Sequence, residues 1–209
     1  MPTNCSTERY EELYAPWLAS APKFAARFIR PGDRVLDLCG GTGVVARAAE
    51  DIGVRSINLI DVNPRMIPPL GQVMAQRGDG QKLPKYYGAH SFDVIVCRQA
   101  IGYLDLDQVA KAAAQVLAPG GRLCFNNFSR PRWFRKKYTY ERDTYIEYGW
   151  HLGRRVFHIQ RKVGSGWDFT AFRWHTHGEV MEAMSKRFSV FVDHAKKTNY
   201  YRCVIKDFD

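Results

Sequence analysis

Four short stretches of the chain place acidic side chains or glycines directly after apolar runs, where they can recognise a ligand. They are Asp37-Leu-Cys-Gly-Gly-Thr-Gly43, Asp61, Asp79 within Gly-Asp-Gly, and the segment that begins at Arg98. Glycines let the backbone pass close to a ligand, and a helix that follows them directs N–H groups at a negative group. A carboxylate at the position of Asp61 can accept both hydroxyls of a ribose, and Asp79 can accept from an exocyclic amine. These stretches therefore predict a ligand that carries such groups.

The apolar runs before these stretches have the lengths and spacing of buried strands that alternate with helices. We predict strands over 34–39, 57–60, 72–77, 92–97 and 122–127, and helices over 7–15, 22–29, 44–52 and 106–117. This alternation indicates parallel strands joined by right-handed crossovers. The predicted fold class is α/β, with a doubly wound, mostly parallel, Rossmann-like sheet of seven strands and an antiparallel edge. Ligands of such sheets bind beyond the carboxyl ends of the strands, where the four stretches lie.

The alternation of strands and helices ends after residue 128. A basic, aromatic segment over 130–148 leads to two alternating runs, 156–163 and 167–174, which Gly164-Ser165-Gly166 joins in the manner of a β-hairpin. A helix over 178–187 and two final runs, 188–192 and 200–205, are expected to close the chain, the final runs as an antiparallel pair. We expect one domain over 1–209, with 1–30 as an N-terminal helical lid and 129–176 as an insertion that caps the substrate.

Composition limits the class of protein. The 209 residues include 31 Lys and Arg against 21 Asp and Glu, for a formal charge of +10, and 45% are apolar. A chain of this length and composition can bury a full core, which excludes disorder as a description of the whole. No apolar stretch reaches the ~20 residues that cross a bilayer, and residues 1–14 lack the apolar core of a secretion signal. We expect a cytoplasmic protein without a membrane partner.

The cysteines and histidines give no metal site. The five cysteines stand singly, which favours reduced, buried thiols. The pair His175-x-His177 lacks a third ligand, so no metal is predicted.

The order and spacing of the four stretches resemble those of class I S-adenosylmethionine-dependent methyltransferases. The shared pattern includes the acidic, glycine-rich turn after the first strand and the acidic end of the second. It also includes Gly-Asp after the third strand, Phe92-Asp-Val-Ile-Val-Cys97 in the fourth, and Leu117-Ala-Pro-Gly-Gly-Arg-Leu123 before the fifth. The resemblance is strong over residues 7–128. Beyond them, only the arrangement of the predicted helices and strands is similar. It implies S-adenosylmethionine as the cofactor and in-line methyl transfer as the reaction.

The resemblance also implies a set of cofactor-binding residues: Asp37, Cys39, Gly40, Gly41, Gly43, Asp61, Val62, Asp79, Gly80 and Arg98. Asp37 and the glycine turn would border the methionine part, and Asp61 would hold the ribose. Val62 would pack on the adenine, whose amino group Asp79 and Gly80 would recognise. Cys39 stands where the family has its first glycine, and we expect its side chain to fit only with a negative backbone φ.

Candidates for the acceptor side carry hydroxyl, amide or imidazole groups. They are Tyr10, Tyr14, Gln99, Tyr103, Asn126, His151 and His175. Trp17, Arg98 and Asn127 also fall near this side, although Tyr14 and Trp17 have the spacing of core residues. In-line methyl transfer depends chiefly on alignment, so the sequence need not contain a dedicated acid or base.

Three functions remain open from the sequence. The first is methyl transfer to a small metabolite, with anionic metabolites included because of the basic charge. The second is an enzyme of the same fold that cyclises S-adenosylmethionine or transfers its aminocarboxypropyl group, and so releases methylthioadenosine. The third is an RNA-binding or RNA-methylating protein, because cations and aromatic residues are interleaved over 130–162. A small molecule is favoured because Arg98-Gln-Ala-Ile101 lacks the Asn-Pro-Pro-Tyr-type motif of amine-directed nucleic-acid methyltransferases.

A nicotinamide dehydrogenase uses a similar first glycine turn, but it is disfavoured. Its fingerprint requires G-x-G-x-x-G, which Gly41-Thr-Gly-Val-Val-Ala46 satisfies only approximately.

Overall fold

A computed structural model describes residues 7–63, 71–128, 134–140, 143–152, 156–163, 166–195 and 198–206. The helices are α1 (Thr7–Leu18), α2 (Ala21–Phe28), α3 (Val44–Ile52), α4 (Leu106–Val116) and α5 (His177–Ser185). The strands are β1 (Arg34–Leu38), β2 (Ser56–Asp61), β3 (Met74–Arg77), β4 (Phe92–Cys97), β5 (Leu117–Phe128), β6 (Phe134–Tyr140), β7 (Asp143–Leu152), β8 (Val156–Val163), β9 (Gly166–Arg173), β10 (Phe188–His194) and β11 (Thr198–Ile205).

Seven of these strands form one sheet in the order β10-β11-β5-β4-β1-β2-β3. Strands β1 to β5 are parallel, whereas β11 is antiparallel to both β5 and β10. The order reverses at β1, which pairs with β2 on one side and with β4 on the other. A crevice therefore opens beyond the carboxyl ends of β1 and β4. The predicted Rossmann-like α/β fold is confirmed.

Apolar residues cover both faces of this sheet. Val35 and Val94 belong to the buried cluster that includes α2 and α3, whereas Leu36 and Ile95 belong to the cluster that includes α4 and α5. Successive strand residues point to opposite faces, so a strand buried on both faces is a nearly continuous apolar run. This explains why β1 and β4 could be recognised from the sequence.

Local signals set the helix boundaries close to the predicted ones. Helix α3 ends at Gly53, whose φ of 82° suits the left-handed conformation that often ends a helix. Asp105 begins α4 by accepting a hydrogen bond from Gln108 N at 2.9 Å. At α5, Thr176 and Glu179 form a capping box.

The insertion contains more strands than the predicted hairpin. The hairpin is present as β8 and β9, and β6 and β7 extend it to a four-stranded antiparallel sheet in the order β6-β7-β8-β9. The segment predicted only as basic and aromatic therefore holds two strands. Strand β6 contacts α1, and β9 contacts the turn Ile101–Tyr103 that follows β4. The inserted sheet thus meets elements on two sides of the crevice.

None of the helices within the described ranges is both long and apolar enough to cross a membrane.

Candidate active site

The turn between β1 and α3 has an unusual backbone. Three of its residues, Cys39, Gly41 and Gly43, have φ values of 56°, 55° and 75°. The Cys39 N–H donates to Ile60 O at 2.8 Å, which holds the turn against the end of β2. The expectation of a negative φ at Cys39 is wrong. Its side chain is accommodated because it packs against the apolar cluster that contains Leu38.

We expect Cys39→Gly to stabilise the protein by about 1 kcal/mol. A non-glycine residue in the left-handed region costs roughly 1–2 kcal/mol, so glycine should stabilise the folded state by that amount. The greater conformational freedom of glycine in the unfolded chain offsets part of this stabilisation. Urea unfolding with circular dichroism measures the change. The matched control is Cys39→Ala, which also removes the thiol but keeps the strained backbone. An equal gain in both variants would show that strain is not the cause.

Asp37 is buried at the carboxyl end of β1, with 1% of its surface exposed. One of its oxygens, Oδ2, accepts a hydrogen bond from Ala46 N at 3.1 Å. A Cβ at Gly40 would lie 2.8 Å from Asp37 Cγ, so the turn can pass this carboxyl group only as glycine. Burial raises the pKa of Asp37 to about 7, Asp61 adds to the rise, and Arg98 opposes it. A carboxyl group in this setting favours a cationic ligand.

Asp61 ends β2 with both carboxylate oxygens oriented by the backbone. Oδ2 accepts from Gly41 N at 3.0 Å, and Oδ1 accepts from Asn63 N at 2.9 Å. Each oxygen retains capacity for a further donor such as a hydroxyl group. Burial raises the pKa of Asp61, although these hydrogen bonds counteract it. The next residue, Val62, is 62% exposed and offers an apolar surface beside the carboxylate.

The end of β3 brings Asp79 and Gly80 to the same edge of the sheet. Asp79 Oδ1 accepts from Gln81 N at 3.0 Å, and Oδ2 lies 3.1 Å from Lys82 Nζ. These hydrogen bonds lower the pKa of Asp79. A Cβ at Gly80 would lie 2.3 Å from Leu38 Cδ1, so a glycine here allows close packing against β1. The carboxyl ends of three adjacent strands thus supply three carboxyl groups.

Helix α1 is held at two points, one of them beside the glycine turn. Arg47 donates to Thr42 O at 2.8 Å and forms an ion pair with Glu11 at 2.5 Å. Arg98 donates to Ser20 Oγ at 2.8 Å and to Trp17 O. The guanidinium of Arg98, predicted to bind the cofactor, thus holds the junction of α1 and α2. The sequence contained no local signal for the contacts with Glu11, Ser20 and Trp17, because these residues are 36 to 81 positions away from their partners.

The acceptor candidates Gln99 and Asn126 meet at the ends of β4 and β5. Gln99 has a φ of 57°, and its N–H donates to Asn126 Oδ1 at 2.7 Å. They line a small cavity of about 20 Å³ together with Ile101, Gly102, Asn127 and Phe128. Its size is sufficient for one water-sized group.

The other acceptor candidates lie at three different places. Tyr10 and Tyr14 are on α1, with ring centroids 4.5 Å apart. Tyr103 and His175 line a wider cavity of about 430 Å³ beside α4 and α5. His175 is buried, its Nε2 has no hydrogen-bond partner among the described residues, and burial with the nearby Arg173 lowers its pKa. His151 belongs to β7, but its side chain lies outside the described part of the structure.

Within the ranges that the structure describes, no three His, Cys, Asp or Glu side chains are grouped so that they can hold a metal ion.

Comparison with known proteins places this arrangement in a family. The family described as "Methyltransferase domain" matches residues 7–181. Among curated proteins, the ubiquinone/menaquinone biosynthesis C-methyltransferase UbiE of Teredinibacter turnerae is 36% identical over 117 residues, which cover 50% of this chain and 46% of the relative. The UbiE protein of Edwardsiella ictaluri is 28% identical over 171 residues, which cover 75% and 65%. The chain thus spans about half to two thirds of the length of these relatives.

Solved structures share the fold at low sequence identity. CalS10, an amino pentose methyltransferase from Micromonospora echinaspora, superimposes with a TM-score of 0.72 at 18% identity, over 94% of this chain and 96% of that chain. DesVI of Streptomyces venezuelae gives a TM-score of 0.69 at 15% identity, over 94% and 98%.

The fold, the matched range and these relatives define the class: the chain belongs to the methyltransferase-domain family of class I S-adenosylmethionine-dependent methyltransferases. S-adenosylmethionine is the cofactor of this family. The strand ends suit such a cofactor. They combine a backbone turn that closely approaches a buried carboxyl group, a second carboxylate with spare acceptor capacity, and an exposed apolar side chain.

Proposed function

We propose that the protein transfers a methyl group from S-adenosylmethionine to a small organic acceptor. The acceptor would bind beside α1, the loop after β4 and the end of β5. The observation that carries this proposal is the anchoring of α1 beside the glycine turn by Glu11–Arg47 and by Arg98. The inserted sheet also contacts α1 and the turn Ile101–Tyr103, so further elements lie on the acceptor side. A site that these elements surround would favour a small acceptor over a folded nucleic acid.

Each group of residues has a distinct task in this proposal. Asp37 and the glycine turn hold the methionine part, Asp61 holds the ribose, and Val62 with Asp79 contacts the adenine. The cofactor supplies an electrophilic methyl group on a sulfonium. The chain then aligns the acceptor, which can contribute up to ~7–11 kcal/mol to lowering the barrier. The small cavity has room for one water-sized group of an acceptor, and its side chains are amides or apolar groups, which can orient that group without titrating.

The relatives suggest which acceptors to test first. The UbiE proteins are named as C-methyltransferases of ubiquinone and menaquinone biosynthesis, and CalS10 is named as an amino pentose methyltransferase. A quinol ring carbon and a sugar amine are therefore the first two acceptor classes. The formal charge of +10 also favours anionic acceptors, because it attracts them from a distance.

The test combines calorimetry with mass spectrometry. We expect the purified protein to bind S-adenosylmethionine and S-adenosylhomocysteine. With a soluble naphthoquinol or an amino sugar, it should form S-adenosylhomocysteine and methylated product in equal amounts. Release of methylthioadenosine would instead indicate the cyclising or aminocarboxypropyl-transferring alternative. Methylation of RNA but of neither small acceptor, with affinity that falls steeply as salt rises, would replace the proposal with the RNA alternative. Absence of cofactor binding would contradict it.

A further inference from the structure

Two consecutive asparagines at the end of β5 hold two separate segments of the chain. Asn126 Oδ1 accepts from Gln99 N at 2.7 Å, and Asn127 Nδ2 donates to His175 O at 2.6 Å. The two asparagines are only 8% and 6% exposed. Successive strand residues point to opposite sides, so one strand end fixes both the loop after β4 and the return from the inserted sheet.

Gln99 requires such a restraint. Its φ of 57° lies in the left-handed region, which an L-residue occupies at a cost of roughly 1–2 kcal/mol. A residue persists in this region only where its surroundings hold it there. The backbone N–H of Gln99 donates a hydrogen bond to Asn126 Oδ1. The strained residue and its restraint both line the small cavity at the acceptor side.

The position of Asn126 is otherwise suited to an apolar side chain. Residues 123–125, which precede it on β5, are Leu, Cys and Phe, and all are fully buried. A buried amide costs free energy unless it is hydrogen-bonded. The amide at this position is therefore explained by what it holds, namely the backbone of Gln99.

We propose that Asn126 is a positioning residue for methyl transfer, which acts by holding Gln99 in the conformation that lines the acceptor cavity. This inference rests on the proposed function. The amide of Asn126 acts through Gln99. Asn126 and Gln99 together determine where the wall of the cavity lies relative to the glycine turn, because Gln99 follows β4 and β4 pairs with β1.

The test uses two variants of similar size. Asn126→Leu removes the acceptor oxygen, and Asn126→Asp keeps it. For Asn126→Leu we expect loss of hydrogen-exchange protection at the Gln99 amide and a fall in kcat of about 10- to 100-fold, which is typical of misplaced reacting groups. Turnover is measured with whichever probe the wild type methylates, the naphthoquinol or the amino sugar. Asn126→Asp should keep the protection of the Gln99 amide and lose less of kcat than Asn126→Leu, because its carboxyl oxygen can still accept from Gln99 N.

Two further measurements separate positioning from a general structural role. The Kd for S-adenosylhomocysteine should change by less than about twofold in either variant, because the proposed contacts of Asp37, Asp61 and Asp79 lie at the ends of β1 to β3, whereas Asn126 acts on the backbone of Gln99 after β4. In a Gln99→Gly background, Asn126→Leu should cause little further loss of kcat, because glycine adopts a positive φ without strain.

Several results would overturn the inference. They are unchanged protection of the Gln99 amide in Asn126→Leu, equal loss of kcat in the Leu and Asp variants, and a joint loss of thermal stability and cofactor affinity. If the wild type methylates neither probe, the quinol and amino-sugar acceptors are excluded, and failure to bind S-adenosylhomocysteine as well would contradict the proposed function. The restraint on Gln99 is then decided by the exchange measurement: lost protection in Asn126→Leu with retention in Asn126→Asp supports it, and retained protection in both overturns it.

Discussion

Asp61→Ala is expected to weaken the binding of S-adenosylhomocysteine by about 3 kcal/mol, or roughly a hundredfold in Kd. The proposed contact is a pair of charge-assisted hydrogen bonds from the ribose hydroxyls to a carboxylate that Gly41 N and Asn63 N already orient. The affinity falls because alanine removes the carboxylate acceptor and leaves the ribose hydroxyls without a hydrogen-bond partner in a site that is partly shielded from water. Isothermal titration calorimetry on the purified variant measures the effect.

Two controls make the Asp61 result specific. Asp93→Ala also removes a carboxylate from the sheet, but that carboxylate pairs with Arg34, away from the crevice, so it should cost stability and leave cofactor affinity unchanged. Circular dichroism must show that Asp61→Ala remains folded, since the substitution also frees Gly41 N. Undiminished affinity in folded Asp61→Ala would contradict the placement of the ribose at this strand end.

The strands that position the site could be predicted because they are buried on both faces. Continuous apolar runs define β1, β2 and β4, and a glycine or carboxylate follows each of the first two. Parallel pairing then places the strand ends side by side, whatever the details of packing. Strands β6 and β7 escaped prediction because charged residues interrupt their aromatic and β-branched residues, so that the segment resembled a basic surface.

The contacts that orient the site residues could be predicted less well from the sequence than the strands. Asn126 was a candidate, but its partner depends on which loop reaches the end of β5, and Gln99 is 27 residues away. Likewise, the left-handed conformation of Cys39 is held by the hydrogen bond of its N–H to Ile60 O and by packing against the apolar cluster that contains Leu38. Tertiary structure selects such partners, whereas local propensity describes only the segment itself.

Asp37→Asn is expected to stabilise the protein at neutral and higher pH. Burial raises the pKa of Asp37 to about 7 from the ordinary value of 3.8. At pH values between these two pKa values, the native state therefore binds more protons than the unfolded state. The contribution of this group to stability therefore falls as pH rises through that window and becomes constant above about pH 7. Between pH ~5 and pH ~8, the wild type should lose about 2–3 kcal/mol relative to Asp37→Asn in urea unfolding experiments.

The same carboxyl group should make cofactor binding depend on pH in the opposite direction. The homocysteine part of S-adenosylhomocysteine carries the same ammonium group as the methionine part of S-adenosylmethionine, and an ionised Asp37 attracts it whereas a protonated Asp37 does not. Its binding must then ionise the carboxyl group, so affinity should fall by up to about tenfold for each pH unit below 7. Asp61 and Arg98 act on the carboxyl group from β2 and β4, with opposite effects on its pKa. In Asp37→Asn the pH dependence should disappear while the affinity at high pH decreases. Equal pH dependence in both proteins would exclude Asp37 as the group that binds the ammonium.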